Sequence, residues 1–151
     1  MPIFDNPILM REIIMDHYKR PNFKKTPENP DKYIKIHMDS PNCIDDITIY
    51  ILIENDIISE VMFDGVACAI ATASTDIMCE MMAEKSIDEA LFIINQYRNM
   101  MFERDFNEDV LGEALVFINT SKQAARIKCA TIGWDGLKSG IKEYADGQKK
   151  N

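Results

Sequence analysis

The chain has 151 residues, long enough to bury a core in one domain, with 46% hydrophobic residues and a formal net charge of −8. That charge excludes nucleic acid as the main partner, because phosphate binding needs a basic patch; it suits a basic surface on a protein. No run of about 18 apolar residues is present to span a membrane, and Asp5 and Glu12 break up the N-terminal apolar groups, unlike a signal peptide. The expectation is a cytoplasmic protein whose four cysteines serve as ligands or reactive thiols rather than disulfides.

Asn6-Pro7 starts a helix, an N-cap followed by proline at the first helical position, and Arg20-Pro21 stops it after Lys19. Residues 21–31 hold three prolines and read as a loop. Three β-rich runs follow, over 33–38, 47–53 and 57–63, with Asn55-Asp56 as a tight turn that pairs the last two antiparallel. The third run ends at Gly65, which suits a bend, and a helix spans about 68–83, its Ala67, Ala69, Ala71 and Ala73 small enough for close packing. Ser86-Ile87-Asp88-Glu89 has the form of a capping box for a helix to about Met101. Residues 102–112 are acidic and turn-like, 111–118 suit a short helix, and Ser121 is placed to cap a last helix that carries Cys129 and Trp134 and frays near Gly147. The fold class is α+β, a three-stranded antiparallel meander with helices packed against it. A single domain over 1–147 is followed by a disordered tail at 148–151.

The meander carries a geometric consequence. Cys43 lies in the turn before the second strand and Cys68 follows the third, so both belong at one edge of the sheet. Asp45 is two residues from Cys43, on the same side of an extended backbone. Two thiols and a carboxylate are most of a tetrahedral zinc site, and Cys129 supplies the fourth ligand if the last helix packs its first turn there. Cys68 also starts a helix, where the dipole favours its thiolate. Cys79 lies 11 residues beyond Cys68 on one helix, roughly 16 Å away, and reads as core. Arg126 and Lys128 flank Cys129 and are candidates to offset the negative charge of such a site from just outside it. His17 and His37 read as supporting or surface residues. No phosphate loop, His-Glu-x-x-His or Gly-x-Ser-x-Gly pattern is present.

Four stretches together resemble the IscU/SufU/NifU N-terminal family of iron–sulfur cluster assembly proteins. They are Asp16-His17-Tyr18-Lys19-Arg20-Pro21, Ser40-Pro41-Asn42-Cys43-Ile44-Asp45, Phe63-Asp64-Gly65-Val66-Ala67-Cys68-Ala69-Ile70-Ala71 and Ala125-Arg126-Ile127-Lys128-Cys129-Ala130-Thr131. Lys128 before the third cysteine, the separation of 61 positions from Cys68 to Cys129 and the insertion-like stretch 102–120 select the SufU branch. The resemblance implies zinc ligands Cys43, Asp45, Cys68 and Cys129, and sulfur accepted from a SufS-type cysteine desulfurase, a histidine of which takes a cysteine's place on zinc. It also implies downstream iron–sulfur assembly proteins as partners. The family pattern Cys-Gly-Asp-Arg is here Cys43-Ile44-Asp45-Asp46, which stiffens the loop and removes a positive charge.

The leading functional expectation is therefore a zinc-dependent, sulfurtransferase-like relay. Cys43 is the accepting thiol, since it lies in a loop while Cys68 and Cys129 are held by helices. The alternatives are a scaffold on which a transient Fe–S cluster is assembled on the same ligands, and a purely structural zinc module.

Overall fold

A computed structural model describes residues 5–41 and 44–149. Helix α1 spans Pro7–Lys19. The strands β1 (Ile34–Asp39), β2 (Asp46–Glu54) and β3 (Ile57–Val66) form one antiparallel sheet in the order β1-β2-β3. Helices α2 (Ala69–Met82), α3 (Ile87–Met101) and α4 (Ala124–Lys149) follow, with an 11-residue 3₁₀ segment, Gly112–Lys122, before the last. The expected α+β meander is what the chain forms. Among the described residues no helix is long and apolar enough to cross a membrane.

Local chemistry accounts for most boundaries. The Asn6 side chain accepts the backbone N–H groups of Ile8 and Leu9, and Ser86 and Glu89 form a reciprocal capping box. Asn55 and Asp56 take φ of 53° and 63°, as a two-residue hairpin turn between right-twisted strands requires. Three boundaries differ from the sequence expectation. Residues 111–118 do not make an α-helix; Leu111 caps the 3₁₀ segment and 112–118 belong to it. Ser121 lies inside that segment and donates to the Ile118 carbonyl at 2.9 Å instead of capping α4. Helix α4 continues through Gln148 to Lys149, where fraying and a tail were expected; Gly147 meets no neighbour and no proline interrupts the run. Residues 150–151 lie outside the described residues.

One face of the sheet builds the core. Ile36 stands opposite Ile49, and Ile49 opposite Phe63; Ile34, Ile51 and Val61 repeat the pattern one step along. Helix α4 lies on this face. A Cβ at Gly136 would press on Met38 and Ile49, and one at Gly140 on Ile51, while Gly133 abuts Thr75 of α2. Three glycines at helical spacing let α4 approach sheet and α2 together. The outer edge of β3 is covered by the proline-rich loop, with Phe63 N–H donating to Phe23 O at 3.0 Å and Lys25 N–H to Phe63 O at 2.7 Å.

Buried ionic contacts join α1, α2 and the 3₁₀ segment. His17 Nδ1 meets Asp76 Oδ2 at 2.7 Å, and His17 Nε2 meets Glu113. Asp76 is fully buried and also accepts the Phe23 N–H at 2.8 Å. The Asp76 carboxylate, with Glu113 helping and burial opposing, raises the His17 pKa to about 9. The sequence reading of His17 as a merely supporting or surface residue understates it: this imidazolium fastens the 3₁₀ segment to the rest of the domain.

Two outcomes follow for stability. Gly65 has φ of +127°, and a Cβ there would overlap the Asp46 carbonyl. Gly65→Ala should lower stability by about 2 kcal/mol, read as a fall in urea midpoint. The second concerns pH. His17 has a folded pKa of about 9 against 6.5 for the free side chain. Its contribution is complete below about pH 6.5 and disappears as pH rises through about 9. The stability advantage of wild type over His17→Gln should therefore be of order 2 kcal/mol at pH 6 and nearly absent at pH 10.

Candidate metal centre

Three of the sequence-selected ligands meet at one end of the sheet. Asp45 directly precedes β2, Cys68 is the N-cap of α2 just beyond β3, and Cys129 lies in the second turn of α4. One ligand atom from each lies within 4.8 Å of the others. Asp45 is 2% exposed, and its two oxygens are directed at Cys68: Oδ1 accepts the Cys68 N–H at 2.7 Å and Oδ2 the thiol at 3.8 Å. The Asp45 carbonyl accepts the Ser40 N–H at 3.1 Å and closes the β1–β2 loop. Cys43, which belongs to that loop, lies outside the described residues.

The electrostatics correct one sequence expectation. Cys68 does accept the Ala71 N–H at 3.4 Å, as a helix N-cap should. Burial nevertheless outweighs that bond and raises its pKa above the ordinary thiol value, with the Asp45 carboxylate adding to the rise. Burial also raises the Cys129 pKa, helped by Cys68 and Asp45 close by. Two desolvated thiols and a buried carboxylate facing one another are poorly placed as anions on their own. A divalent cation would remove that conflict by coordinating all three, so the donor set fits a thiolate-preferring metal such as zinc.

Cys79 is fully buried in the hydrophobic core and takes no part in the cluster, as its spacing from Cys68 requires. Arg126 and Lys128 are exposed on the first turns of α4, and among the described residues neither forms an ion pair. Asp46, at the position where the family pattern has arginine, pairs with His37 across the β1–β2 ladder at 2.7 Å. Ile44 is 63% exposed beside the cluster. A second group, His17, Glu80 and Glu113, also brings ligand atoms within 4.8 Å, but both nitrogens of that imidazole already bond carboxylates.

Sequence reading missed the residues that set Cys129 in place. Ser74 Oγ on α2 donates to the Ala130 carbonyl at 2.6 Å, Tyr97 OH on α3 donates to the same oxygen at 2.7 Å, and Trp134 Nε1 donates to Ser74 Oγ at 3.0 Å. Tyr97 and Trp134 stack with centroids 3.8 Å apart. This network grips α4 one residue past the cysteine. A lone serine in an alanine-rich helix carries no local signal of it.

The chain matches the NifU-like N-terminal domain family over residues 9–151. It is 33% identical over 140 residues to the zinc-dependent sulfurtransferase SufU of Bacillus subtilis, covering 92% of this chain and 93% of that protein. It is 30% identical to the iron–sulfur cluster assembly scaffold protein IscU of Streptococcus pyogenes, covering 93% and 87%. Among solved structures, one described as an iron–sulfur cluster assembly scaffold protein for the SUF system (FiSufU), from Fervidobacterium islandicum, superposes with a TM-score of 0.80 at 35% identity, covering 86% of this chain and 94% of that one. With this fold and three of the family's cysteine and aspartate positions gathered at one end of the sheet, the chain belongs to the NifU-like N-terminal domain family of iron–sulfur cluster assembly proteins and is of the SufU type.

Proposed function

We propose that the protein is a zinc-dependent sulfur acceptor in iron–sulfur cluster assembly, taking persulfide sulfur from a SufS-type cysteine desulfurase in the cytoplasm. The observation that carries this reading is the convergence of Asp45, Cys68 and Cys129 in one partly buried cluster. The similarity to a protein named as a zinc-dependent sulfurtransferase supports it, as does the 3₁₀ segment within the long Cys68–Cys129 interval.

Zinc held by Cys43, Asp45, Cys68 and Cys129 would keep the thiols deprotonated near neutral pH despite burial. The chain's own residues then divide the work. Cys68 is fixed as a helix N-cap and Cys129 is buried in α4, so neither is placed to travel. We assign acceptance to Cys43, whose thiolate attacks the outer sulfur of the donor persulfide. A new S–S bond forms on Cys43, the donor S–S bond breaks, and the desulfurase cysteine leaves as a thiolate. One sulfane sulfur moves, and no external oxidant is needed. Cys43 is the ligand whose place on the metal a partner's imidazole would take, which would free its thiolate for the attack, while Asp45, Cys68 and Cys129 would keep hold of the ion.

A second reading, a scaffold for a transient Fe–S cluster, is favoured by the relatives named as scaffold proteins. Protein prepared without oxygen separates the two. Brown protein containing acid-labile sulfide favours the scaffold, and colourless protein with one zinc favours the relay.

Wild type should bind one zinc with three sulfur and one oxygen neighbours by X-ray absorption. Cys129→Ser and Asp45→Ala should weaken zinc by about tenfold or more, and Cys79→Ser should leave it unchanged. Removal of zinc should leave the far-UV circular dichroism helical, because the core does not depend on the cluster. Addition of the protein should raise desulfurase turnover with cysteine. Without reductant, mass spectrometry should find the added sulfur on Cys43; sulfur chiefly on Cys68 or Cys129, with Cys43→Ser still accepting normally, overturns the assignment.

A further inference from the structure

A groove of about 470 Å³ runs between α1, the start of α2, the 3₁₀ segment and the start of α4. Its apolar surface comes from Met10, Met15, Ile70 and Val116, and two arginines, Arg11 and Arg126, stand over it. No carboxylate lines it, although the chain has 25 acidic residues. The groove beside α3 carries Asp88, Glu89 and Asp109, and the one under Leu9 carries Glu12, Asp16 and Glu113.

The arginines are distinctive in a second way. Of the five in the chain, Arg20 pairs with Asp16, Arg98 with Asp135, and Arg104 donates to Asn99. Arg11 and Arg126 are both exposed, and among the described residues neither guanidinium has a charged or hydrogen-bonding partner. Three guanidiniums therefore lack a carboxylate partner, and the two of them with no side-chain hydrogen bond either, among the described residues, share one groove. That groove is continuous with the candidate metal centre, since Ile70 lies two residues after Cys68 and Arg126 three before Cys129.

We propose that this groove is where the sulfur-donating partner docks, by a segment in which acidic side chains are flanked by apolar ones. The inference rests on the sulfur-acceptor reading and adds to it the surface and the chemistry of the partner. Apolar side chains of the segment would enter the methionine-lined floor, which can repack around varied shapes. Its carboxylates would pair with Arg11 and Arg126, the planar guanidinium being suited to bidentate contact. The position delivers the donor beside the cysteines. The charge pattern selects an acidic segment on a protein surface whose remainder must tolerate a net charge of −8.

The test is the concentration of zinc-loaded protein that half-saturates stimulation of a SufS-type desulfurase, with direct binding measured in parallel. Arg11→Glu should raise half-saturation roughly tenfold, and Arg11→Lys should recover part of that loss. The wild-type advantage should shrink as salt rises from about 0.05 to 0.3 M. Arg126→Glu should behave alike once its zinc content is matched to wild type. Arg104→Glu makes the same charge change outside the groove and should leave half-saturation where it was. Half-saturation within twofold of wild type for both groove variants, or an equal shift from Arg104→Glu, overturns the docking surface and leaves the sulfur-acceptor reading standing. A wild-type protein that neither binds nor stimulates the desulfurase overturns both.

Discussion

The close seating of α4 is the constraint on which the centre depends. A helix carrying Cys129 must approach α2 closely enough for its sulfur to lie near that of Cys68. Gly133, Gly136 and Gly140 remove the side chains that would hold it off Thr75, Met38, Ile49 and Ile51. The Ser74 and Tyr97 hydroxyls then bind the Ala130 carbonyl, and the Tyr97–Trp134 stack fills the space behind it. Glycine lets the helix come close, and the buried hydrogen bonds select its register. The helical cost of glycine, about 1 kcal/mol at each position, is offset by the packing it permits.

The same arrangement explains why the centre asks for a cation. In an open site the N-terminus of α2 would favour a Cys68 thiolate. Here Asp45 is almost fully buried and its carboxylate is turned toward both thiols. Burial and a neighbouring negative charge then act in one direction and hold the thiols neutral. The cluster is preorganised in position and unsatisfied in charge, a combination in which a divalent ion gains most from binding.

Around the centre, the insertion is structural as much as it is diagnostic. Glu113 opens the 3₁₀ segment and reaches His17 on α1, while Asp76 on α2 holds the other imidazole nitrogen. The segment thus becomes a wall of the groove that ends beside the cysteines, and Val116 lines it directly. On either side of Asp45 in the chain, Ile44 is exposed and Asp46 pairs with His37 of β1. The groove presents two guanidiniums that have no side-chain partner among the described residues.

By itself the sequence determined what is local: the caps at Asn6 and Ser86, the hairpin turn at Asn55-Asp56, and the alternation that makes β2 half buried. From strand order alone it also followed that Asp45 and Cys68 share one end of the sheet, because a meander permits no other arrangement. Cys79 was legible as core, since three helical turns separate it from Cys68. The placement of Cys129 was legible only as a condition, that α4 pack its first turns against the centre. Tertiary structure decided the rest, each part resting on residues far apart in the chain. Glycine spacing on α4 has meaning only against the sheet it touches, His17 and Glu113 are 96 positions apart, and Arg11 and Arg126 come to one groove from opposite ends of the chain. The thiol pKa values were decided there too, because the helix dipole is a local property whereas desolvation depends on everything packed around the sulfur.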